Sequence, residues 1–446
     1  MNITPEMLHS SRYPAKHVAD ILNAALHSVD PDNATANALQ KLQLEVDFSL
    51  FHRVGLVSIG KAAIPMAQAA LQVLGDQIDS GIVVAKVIPA TFSYFTENFR
   101  VYQGNHPLPG EDSVFAGEEV IKYLAEFDTQ EAVLFLISGG ASALVTHPVY
   151  AVELADLVEA TQLLLDCGAS IDEINTVRKH LDDCKGGGLA AYTSPATCIS
   201  LILSDVIGNR LDVIASGPTV ADSTTFANAM TVLEKYDLQD KVPKTVLCFL
   251  TDGRNGKILD TPKPGDDIFE SSRAEIIASL EQAMLAATTR AAELGYMAEF
   301  YLPLLTGEAR DRGVQLGDFL RHQAALRHPG DAPRCWIGGG ETTVTKKGSG
   351  YGGRNQELAL AAVEGLAGVP GAALITFATD GEDGQSPAAG AIVTGTTLQE
   401  AHDMGINPAN YLFRNDSYTF FAALNAIIVT GSTGTNVNDL VLLLLD

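Results

Sequence analysis

The sequence has few basic residues and lacks a long apolar run. Its 29 lysines and arginines stand against 54 aspartates and glutamates, giving a formal net charge of -25 at pH 7. Nucleic acids and anionic membranes bind through basic surfaces, so this balance argues against both as partners. No stretch approaches the roughly 18 uninterrupted apolar residues of a membrane span, and the N-terminus lacks the basic-then-apolar pattern of a signal peptide. We therefore expect a cytoplasmic protein.

Cysteine is scarce, and several familiar catalytic signatures are missing. The five cysteines show no CxxC spacing, which argues against a zinc site and a disulfide framework. Lys61 and Lys257 follow glycines but precede Ala62 and Ile258, so neither belongs to a P-loop. No GxGxxG opens the first strand-helix unit and no GxSxG is present, which weakens the nicotinamide-dehydrogenase and α/β-hydrolase interpretations.

Apolar runs of strand length alternate with helical patterns along the chain. Such runs lie at 54–59, 133–137 and 198–203, each followed by a turn rich in glycine or aspartate. This alternation predicts an α/β fold whose first domain, residues 1–240, is a doubly wound, Rossmann-like parallel sheet. Residues 241–446 are predicted to form a second, smaller α/β domain. The run at 440–445 is predicted to be a buried strand that closes a sheet there or packs back on the first domain.

The segment 338–357 carries seven glycines and Arg354, directly before a helical pattern. Glycines let backbone amides approach an anion closely, and arginine offers a planar donor fork for phosphate or carboxylate. Lys61 lies at another helix start, where the positive end of the helix dipole disfavours a cation unless an anion binds there. We therefore predict that the ligand is anionic.

Further candidate side chains follow glycines or buried strands. Arg178, Lys179 and Lys185 lie near Gly186–Gly188 and are candidates for a substrate carboxylate or phosphate, with a solvated helix face as the alternative. His180 is interpreted as structural. In open parallel sheets ligands bind beyond the carboxyl ends of strands. Asp205 and Asp380 follow such strands, the usual place for Mg²⁺ ligands or bases in phosphoryl transfer, although either residue is equally suited to capping.

At these residues the chain resembles the class II glycerate kinases, the glycerate 2-kinase family with the leucine-rich MOFRL domain in its C-terminal half. The resemblance runs nearly end to end and is carried by motifs at 59–63, 104–107, 137–144, 175–181, 185–187, 214–219, 340–345, 352–357, 379–381 and 433–439. It implies transfer of the ATP γ-phosphoryl group to the 2-hydroxyl of D-glycerate, giving 2-phosphoglycerate. The implied cofactors are ATP and Mg²⁺, the partners are small molecules, and a homo-oligomer is left open.

The resemblance implies two catalytic residues, and the positions of the turns add candidate metal ligands and binding residues. The catalytic lysine and arginine of the family fall on Lys61 and Arg354, and the metal is assigned to Asp205 or Asp380. The candidate substrate- and phosphate-binding residues are Ser138, Gly139, Gly140, Ser142, Arg178, Lys185, Gly340, Glu341, Thr342, Gly353, Asn355 and Glu357.

One loop departs from the family pattern. Asn209 and Arg210 stand where the family usually has two aspartates, which leaves open a kinase for another small hydroxy acid or sugar acid. An NAD(P)H-dependent hydroxypyruvate reductase and a non-catalytic anion-binding protein also stay open as functions.

Overall fold

The computed structural model describes residues 2–8, 14–89 and 97–446. They form two compact units. The first unit comprises residues 31–277, and the second comprises residues 1–30 together with 278–446. Among the described residues, no helix has both the length and the apolar character needed to cross a membrane.

Thirteen strands and sixteen α-helices are present in the described residues. The strands are β1 (Val54–Gly60), β2 (Ser80–Ala85), β3 (Phe99–Gln103), β4 (Ala132–Ile137), β5 (Thr197–Leu203), β6 (Ser272–Ala278), β7 (Met297–Phe300), β8 (Leu305–Glu308), β9 (Arg334–Thr343), β10 (Ala372–Ala378), β11 (Gly390–Thr394), β12 (Ile427–Ile428) and β13 (Asp439–Leu445). The helices are α1 (Ala15–Ser28), α2 (Pro31–Leu42), α3 (Ala63–Leu74), α4 (Glu111–Leu124), α5 (Ala141–Leu144), α6 (Leu154–Asp166), α7 (Ile171–Lys179), α8 (Gly188–Thr193), α9 (Phe226–Lys235), α10 (Lys244–Arg254), α11 (Leu280–Glu293), α12 (Ala309–Ala325), α13 (Arg354–Leu366), α14 (Thr397–Asp403), α15 (Pro408–Phe413) and α16 (Ser417–Ala423).

The first unit is built on a six-stranded sheet in the order β3-β2-β1-β4-β5-β6. The pairs from β3 through β5 are parallel, with Val57 of β1 opposite Ile82 of β2 and Phe135 of β4. These side chains are fully buried, and burial of one large aliphatic side chain contributes about 1.5–3 kcal/mol. The order reverses between β1 and β4, where doubly wound folds bind ligands. The predicted Rossmann-like α/β class is confirmed.

The second unit contains a mixed sheet in the order β12-β11-β10-β13-β9-β7, with β8 also paired to β9. Strand β13 runs antiparallel to both β10 and β9, and every residue in it is buried. The apolar run at the C-terminus is therefore a central strand of this sheet. It forms the framework for the glycine-rich segment, because Asp439 at its start lies opposite Gly340.

The division into units differs from the predicted boundary after residue 240. Strand β6 lies beside β5 and extends the first sheet to residue 278, so the polar segment after residue 240 belongs to the first unit. Helix α1 packs on α11, which places residues 1–30 in the second unit. Both differences arise from contacts between segments far apart in the sequence, which local composition does not indicate.

Candidate active site

The turns after β1 and β4 meet at the point where the strand order of the first sheet reverses. The backbone amide of Lys61 donates to the carbonyl of Gly139 at 2.9 Å, and the amide of Ala62 donates to Ser138 Oγ at 3.0 Å. Gly60 has a φ of +133°, and a Cβ there would lie 2.1 Å from Ser138 Oγ. Only glycine fits this position. The turn therefore holds Lys61 beside Ser138 and Gly139.

The side chain of Lys61 extends over the second turn. Its Cγ and the ring of His106 both lie within 3.4 Å of where a Cβ on Gly140 would be. Within the part of the chain that the structure describes, no hydrogen bond or ion pair engages the ammonium, which is exposed. Burial lowers the pKa of His106, and the charges of Lys61 and Lys86 lower it further. An unpaired cation thus lies beside a histidine that favours its neutral form.

Asp205, directly after β5, reaches the same turn. A Cβ on Gly139 would lie 2.1 Å from its Oδ2, so the carboxylate packs against the glycine backbone. Burial raises the pKa of Asp205, and the positive charge of Lys61 opposes this shift. No cation of the described residues pairs with this half-buried carboxylate, so it is open to a ligand.

Arg178, near the end of α7, supplies a second unpaired cation. Its Nη2 donates to Ser142 Oγ at 2.8 Å, and Ser142 Oγ lies 2.9 Å from Ser216 Oγ. Burial lowers the pKa of this half-buried guanidinium, and the charge of Asp182 opposes the shift. Within the described residues no carboxylate lies within 4.0 Å of it, so its remaining donors suit an anion.

The segment that holds Ser142 is strained. Ala215 and Ser216 adopt left-handed backbone conformations, with φ values of +53° and +61°. Such conformations in residues other than glycine cost of order 1–3 kcal/mol each and concentrate at functional sites. Ser216 Oγ also donates to Asn175 Oδ1 at 3.2 Å, which ties the strained segment to α7, the helix that carries Arg178.

Lys185, predicted to contact substrate, has a buried protein partner. Its ammonium forms an ion pair with Asp182 and lies 3.4 Å from the carbonyl of Val145. Asp182 also accepts from Thr146 Oγ1 and from the amide of Cys184. Both side chains of the pair are almost fully buried. A structural role accounts for Lys185, because a ligand would have to break this pair to reach it.

Two further polar side chains of α7 and its C-cap are also paired. Lys179 Nζ lies 3.3 Å from Asp222 and 3.6 Å from Asp212. His180 lies 2.9 Å from Asp260 through Nε2 and contacts the carbonyl of Thr176 through Nδ1. These contacts agree with the interpretation of His180 as structural and favour the same role for Lys179.

The loop with the unusual residues is stabilised by ion pairs. Arg210 contacts both carboxylate oxygens of Asp172 at 3.0 Å and Asp212 at 2.9 Å. Asn209 has a φ of +53°, a conformation that asparagine tolerates better than most residues. The added cation therefore ties the loop after β5 to the start of α7.

In the second unit, Arg354 opens α13 and lies against Asp439. Its Nε and Nη2 donate to the two carboxylate oxygens at 2.5 and 3.0 Å, and its Nη1 lies 3.2 Å from Glu341. Burial acts to lower the pKa of Arg354, but the hydrogen bonds and charge of Asp439 outweigh it, so the pKa is raised. Three of the five N–H donors of the guanidinium are thus engaged by carboxylates, which leaves one donor on Nη1 and one on Nη2.

The first turn of α13 is capped by Asp383. Its carboxylate accepts from the backbone amides of Asn355 at 3.0 Å and Gln356 at 2.9 Å. Asn355 was predicted to bind phosphate, but its amide is occupied by this carboxylate. A Cβ on Gly353 would lie 2.3 Å from Asp383 Cγ, so this glycine is needed for the close approach of the cap.

Glu357, another predicted ligand contact, is fixed within the protein. Arg310 donates to its Oε1 at 2.6 and 3.0 Å, and Asn415 Nδ2 donates to its Oε2 at 2.9 Å. Asn415 Oδ1 in turn accepts from the amides of Lys347 and Gly348. Glu357 therefore orders the glycine-rich segment through Asn415.

A cavity of about 490 Å³ lies beside this segment. Its walls include Glu341, Thr342, Lys346, Gly352, Arg354 and Gln385. Gly340 serves a different purpose, because a Cβ there would lie 2.0 Å from the carbonyl of Leu305 in β8. Thr342, Gly353 and Arg354 thus line the same cavity. Gly340 instead allows β8 and β9 to lie close together.

Asp380 follows β10 and is half-buried. Its Oδ1 accepts from the amide of Glu382 at 3.0 Å, and among the described residues no cation pairs with it. No group of three or more His, Cys, Asp and Glu side chains in the described part of the chain is arranged to hold a metal ion.

The sequence did not predict the roles of Asp383 and Asp439, although both follow glycine- or asparagine-containing turns next to buried strands.

Comparisons with known proteins match both parts of the chain. Residues 17–251 match a domain of unknown function, DUF4147, and residues 334–439 match the MOFRL family. The chain is 39% identical to a D-glycerate 2-kinase of Thermotoga maritima, over 96% of its own length and 97% of that protein. It is 37% identical to a glycerate 2-kinase of Pyrococcus horikoshii, with 95% of each chain covered.

Two further matches concern structure and naming. A crystal structure of glycerate kinase from Thermotoga maritima superposes with a TM-score of 0.87 at 39% identity, covering 97% of this chain and 99% of that one. A relative from Agrobacterium vitis whose name refers to hydroxypyruvate reductase is 36% identical over 94% of this chain and 92% of that protein. With both family models matched and this identity over nearly the whole length, the chain belongs to the glycerate kinase family with a C-terminal MOFRL domain.

Proposed function

We propose that this protein is a glycerate 2-kinase, which transfers the γ-phosphoryl group of ATP to the 2-hydroxyl of D-glycerate. The observation that carries the proposal is the pair of unpaired cations, Lys61 and Arg178, beside the Ser138–Gly140 turn in a chain similar to glycerate kinases over nearly its full length. A chain with a net charge of -25 repels anions in general. Cations left without carboxylate partners therefore support a local site for an anionic substrate.

The acceptor is assigned to the first unit. Arg178 meets the glycerate carboxylate through donors that no protein carboxylate occupies, and Ser142 fixes the direction of its guanidinium at 2.8 Å. Asp205 accepts the proton of the 2-hydroxyl, because burial raises the pKa of its carboxyl and a raised pKa makes a stronger base. Lys61, over the same turn, stabilises negative charge on the phosphoryl group.

The nucleotide is assigned to the second unit. The cavity beside the glycine-rich segment has room for part of a nucleotide, and Arg354 borders it. Asp439 and Glu341 engage three of the five N–H donors of the guanidinium, and we assign the two others, one on Nη1 and one on Nη2, to the phosphoryl oxygens. Arginines placed in this way stabilise the charge that develops during phosphoryl transfer.

In the proposed reaction one bond forms and one breaks at phosphorus. The 2-hydroxyl oxygen bonds to the γ-phosphorus while the bond from that phosphorus to the β–γ bridging oxygen breaks, which releases ADP. The hydroxyl proton passes to the Asp205 carboxylate. Phosphoryl transfer depends mainly on positioning and electrostatics, which the named cations and the carboxylate supply.

The carboxylates present fit a requirement for Mg²⁺. Mg²⁺ is usually held by one or two carboxylates together with substrate phosphates and water, so a three-ligand cluster is not needed. Asp380 would hold it, since this carboxylate is half-buried and unpaired among the described residues, and Asp205 is then left to accept the proton. When bound, Mg²⁺ would neutralise charge on the nucleotide phosphates. We also propose that the protein is cytoplasmic. Its oligomeric state, for which a homo-oligomer is the alternative to a monomer, can be measured in solution.

The decisive assay is ADP release by the purified protein with ATP, Mg²⁺ and D-glycerate, coupled in parallel to enolase. A prompt signal in both readouts is expected, because enolase consumes only 2-phosphoglycerate. Lys61→Ala is expected to lose most of the turnover, and near wild-type turnover would refute its role. Absence of ADP release with D-glycerate would refute the proposed function.

Two other functions have specific support. The Asn209 and Arg210 loop supports a kinase for another small hydroxy acid or sugar acid, for which ADP release with that acid but not with D-glycerate would be the result. The name of the Agrobacterium vitis relative supports a hydroxypyruvate reductase. A reductase would oxidise NADH or NADPH when hydroxypyruvate is added. We expect no such oxidation by this protein, because no GxGxxG fingerprint follows β1.

A further inference from the structure

The turn at 383–384 lies directly on the backbone of the glycine-rich segment. Asp383 accepts from the amides of Asn355 and Gln356 at 3.0 and 2.9 Å and from Gln356 Nε2 at 2.8 Å. A Cβ on Gly384 would lie 2.6 Å from the carbonyl of Gly352, and one on Gly353 would overlap Asp383. The carboxylate therefore fixes the backbone on both sides of Arg354.

We infer that Asp383 is a positioning residue for Arg354, an inference that rests on the proposed kinase function. Among the described residues the guanidinium has one buried anchor, the Asp439 carboxylate, because its other partner, Glu341, is half exposed. The direction of the side chain therefore depends on where the first turn of α13 begins. Asp383 determines that place with four hydrogen bonds from two consecutive residues of the helix.

Stability alone does not account for this carboxylate. Asp383 is 1% exposed, and burial raises its pKa to about 6 despite the backbone hydrogen bonds it accepts. The ionised form therefore persists at neutral pH at a cost to the fold. The charged groups that face it are Asp439, which adds to this cost, and Arg354. Strained or costly groups of this kind concentrate at functional sites.

The test compares Asp383→Asn with Ser386→Ala in the glycerate assay. Ser386 donates to the backbone of the same turn and contacts Gln356 Nε2 at 2.6 Å, but its removal leaves the carboxylate in place. In Asp383→Asn, an amide group replaces one acceptor oxygen and repels the backbone amides. We expect kcat to fall about 10- to 100-fold, the effect of a displacement near 1 Å, with KM for D-glycerate preserved. Ser386→Ala is expected to keep kcat within about 2-fold.

Three results would overturn the inference. These are wild-type kcat in Asp383→Asn, a KM that rises as much as kcat falls, and an equal loss of kcat in Ser386→Ala. If Asp383→Asn does not fold, Gly353→Ala decides, because its Cβ would displace the carboxylate while leaving its charge. That variant is expected to show the same fall in kcat, and wild-type kcat would refute the inference. A wild-type protein that phosphorylates no glycerate would instead refute the proposed function.

Discussion

Replacing Arg178 with methionine is expected to separate substrate binding from stability. The guanidinium is half-buried, donates to Ser142 at 2.8 Å and has no carboxylate partner among the described residues. Methionine fills similar volume without the charge. Ser142 keeps its contact with Ser216 at 2.9 Å, so the substitution leaves no buried hydroxyl without a partner.

The size of the effect follows from the hydrogen bonds that a carboxylate would lose. A hydrogen bond to a charged group is worth about 1.5–3 kcal/mol, so loss of a two-donor fork costs at least about 3 kcal/mol. Because each 1.4 kcal/mol is a tenfold change in affinity, KM for D-glycerate should rise by a factor of about 100 or more. Arg178→Lys keeps the charge but loses the planar fork and is expected to show a smaller rise, about tenfold.

Lys179, the next residue, provides a matched control. Its ammonium is buried and paired with Asp222 and Asp212, and breaking a buried pair costs about 3–5 kcal/mol of folding free energy. Lys179→Met should therefore lower the urea midpoint, whereas Arg178→Met should preserve or raise it. Steady-state kinetics and urea unfolding on both variants test this pattern. An unchanged KM in Arg178→Met would refute the assignment of the substrate carboxylate.

Three further predictions concern the fold. Gly60→Ala should destabilise the protein by more than about 2 kcal/mol in urea unfolding, since its Cβ would lie 2.1 Å from Ser138 Oγ; a wild-type midpoint would contradict this. Only the exposed Cys167 and Cys248 should react rapidly with a thiol reagent, because burial raises the pKa of the Cys198 and Cys335 thiols to about 12; rapid labelling of more than two thiols would contradict this. The pKa of Asp383 is raised from 3.8 to about 6, so between these values the folded chain binds more protons than the unfolded chain and this carboxyl's contribution to stability falls as pH rises. The free energy of unfolding of Asp383→Asn minus that of wild type should therefore rise by about 2 kcal/mol from pH 4 to pH 6, and a flat difference would contradict the shift.

The architecture of both sheets was largely predictable because their strands are apolar along their whole length. Residues 54–59 and 133–137 are buried on both faces of a parallel sheet, which requires continuous apolar runs. The same signal identified 440–445 as a buried strand. The boundary between the units could not be read in this way. It depends on α1 packing against α11, about 250 residues later in the chain, and on β6 joining the edge of the first sheet.

The candidate site was predicted as a set of residue types, but their pairing was not. Lys61, Arg178, Lys185 and Arg354 all stand near glycines in the sequence. The structure separates them by their partners: Lys185 is neutralised by a buried aspartate three residues before it, whereas Arg354 is held by Asp439, 85 residues away. A cation paired on every side stabilises the fold, and a cation with free donors is available to a ligand. Since the partner decides the role and lies elsewhere in the chain, residue type and local spacing alone cannot assign it.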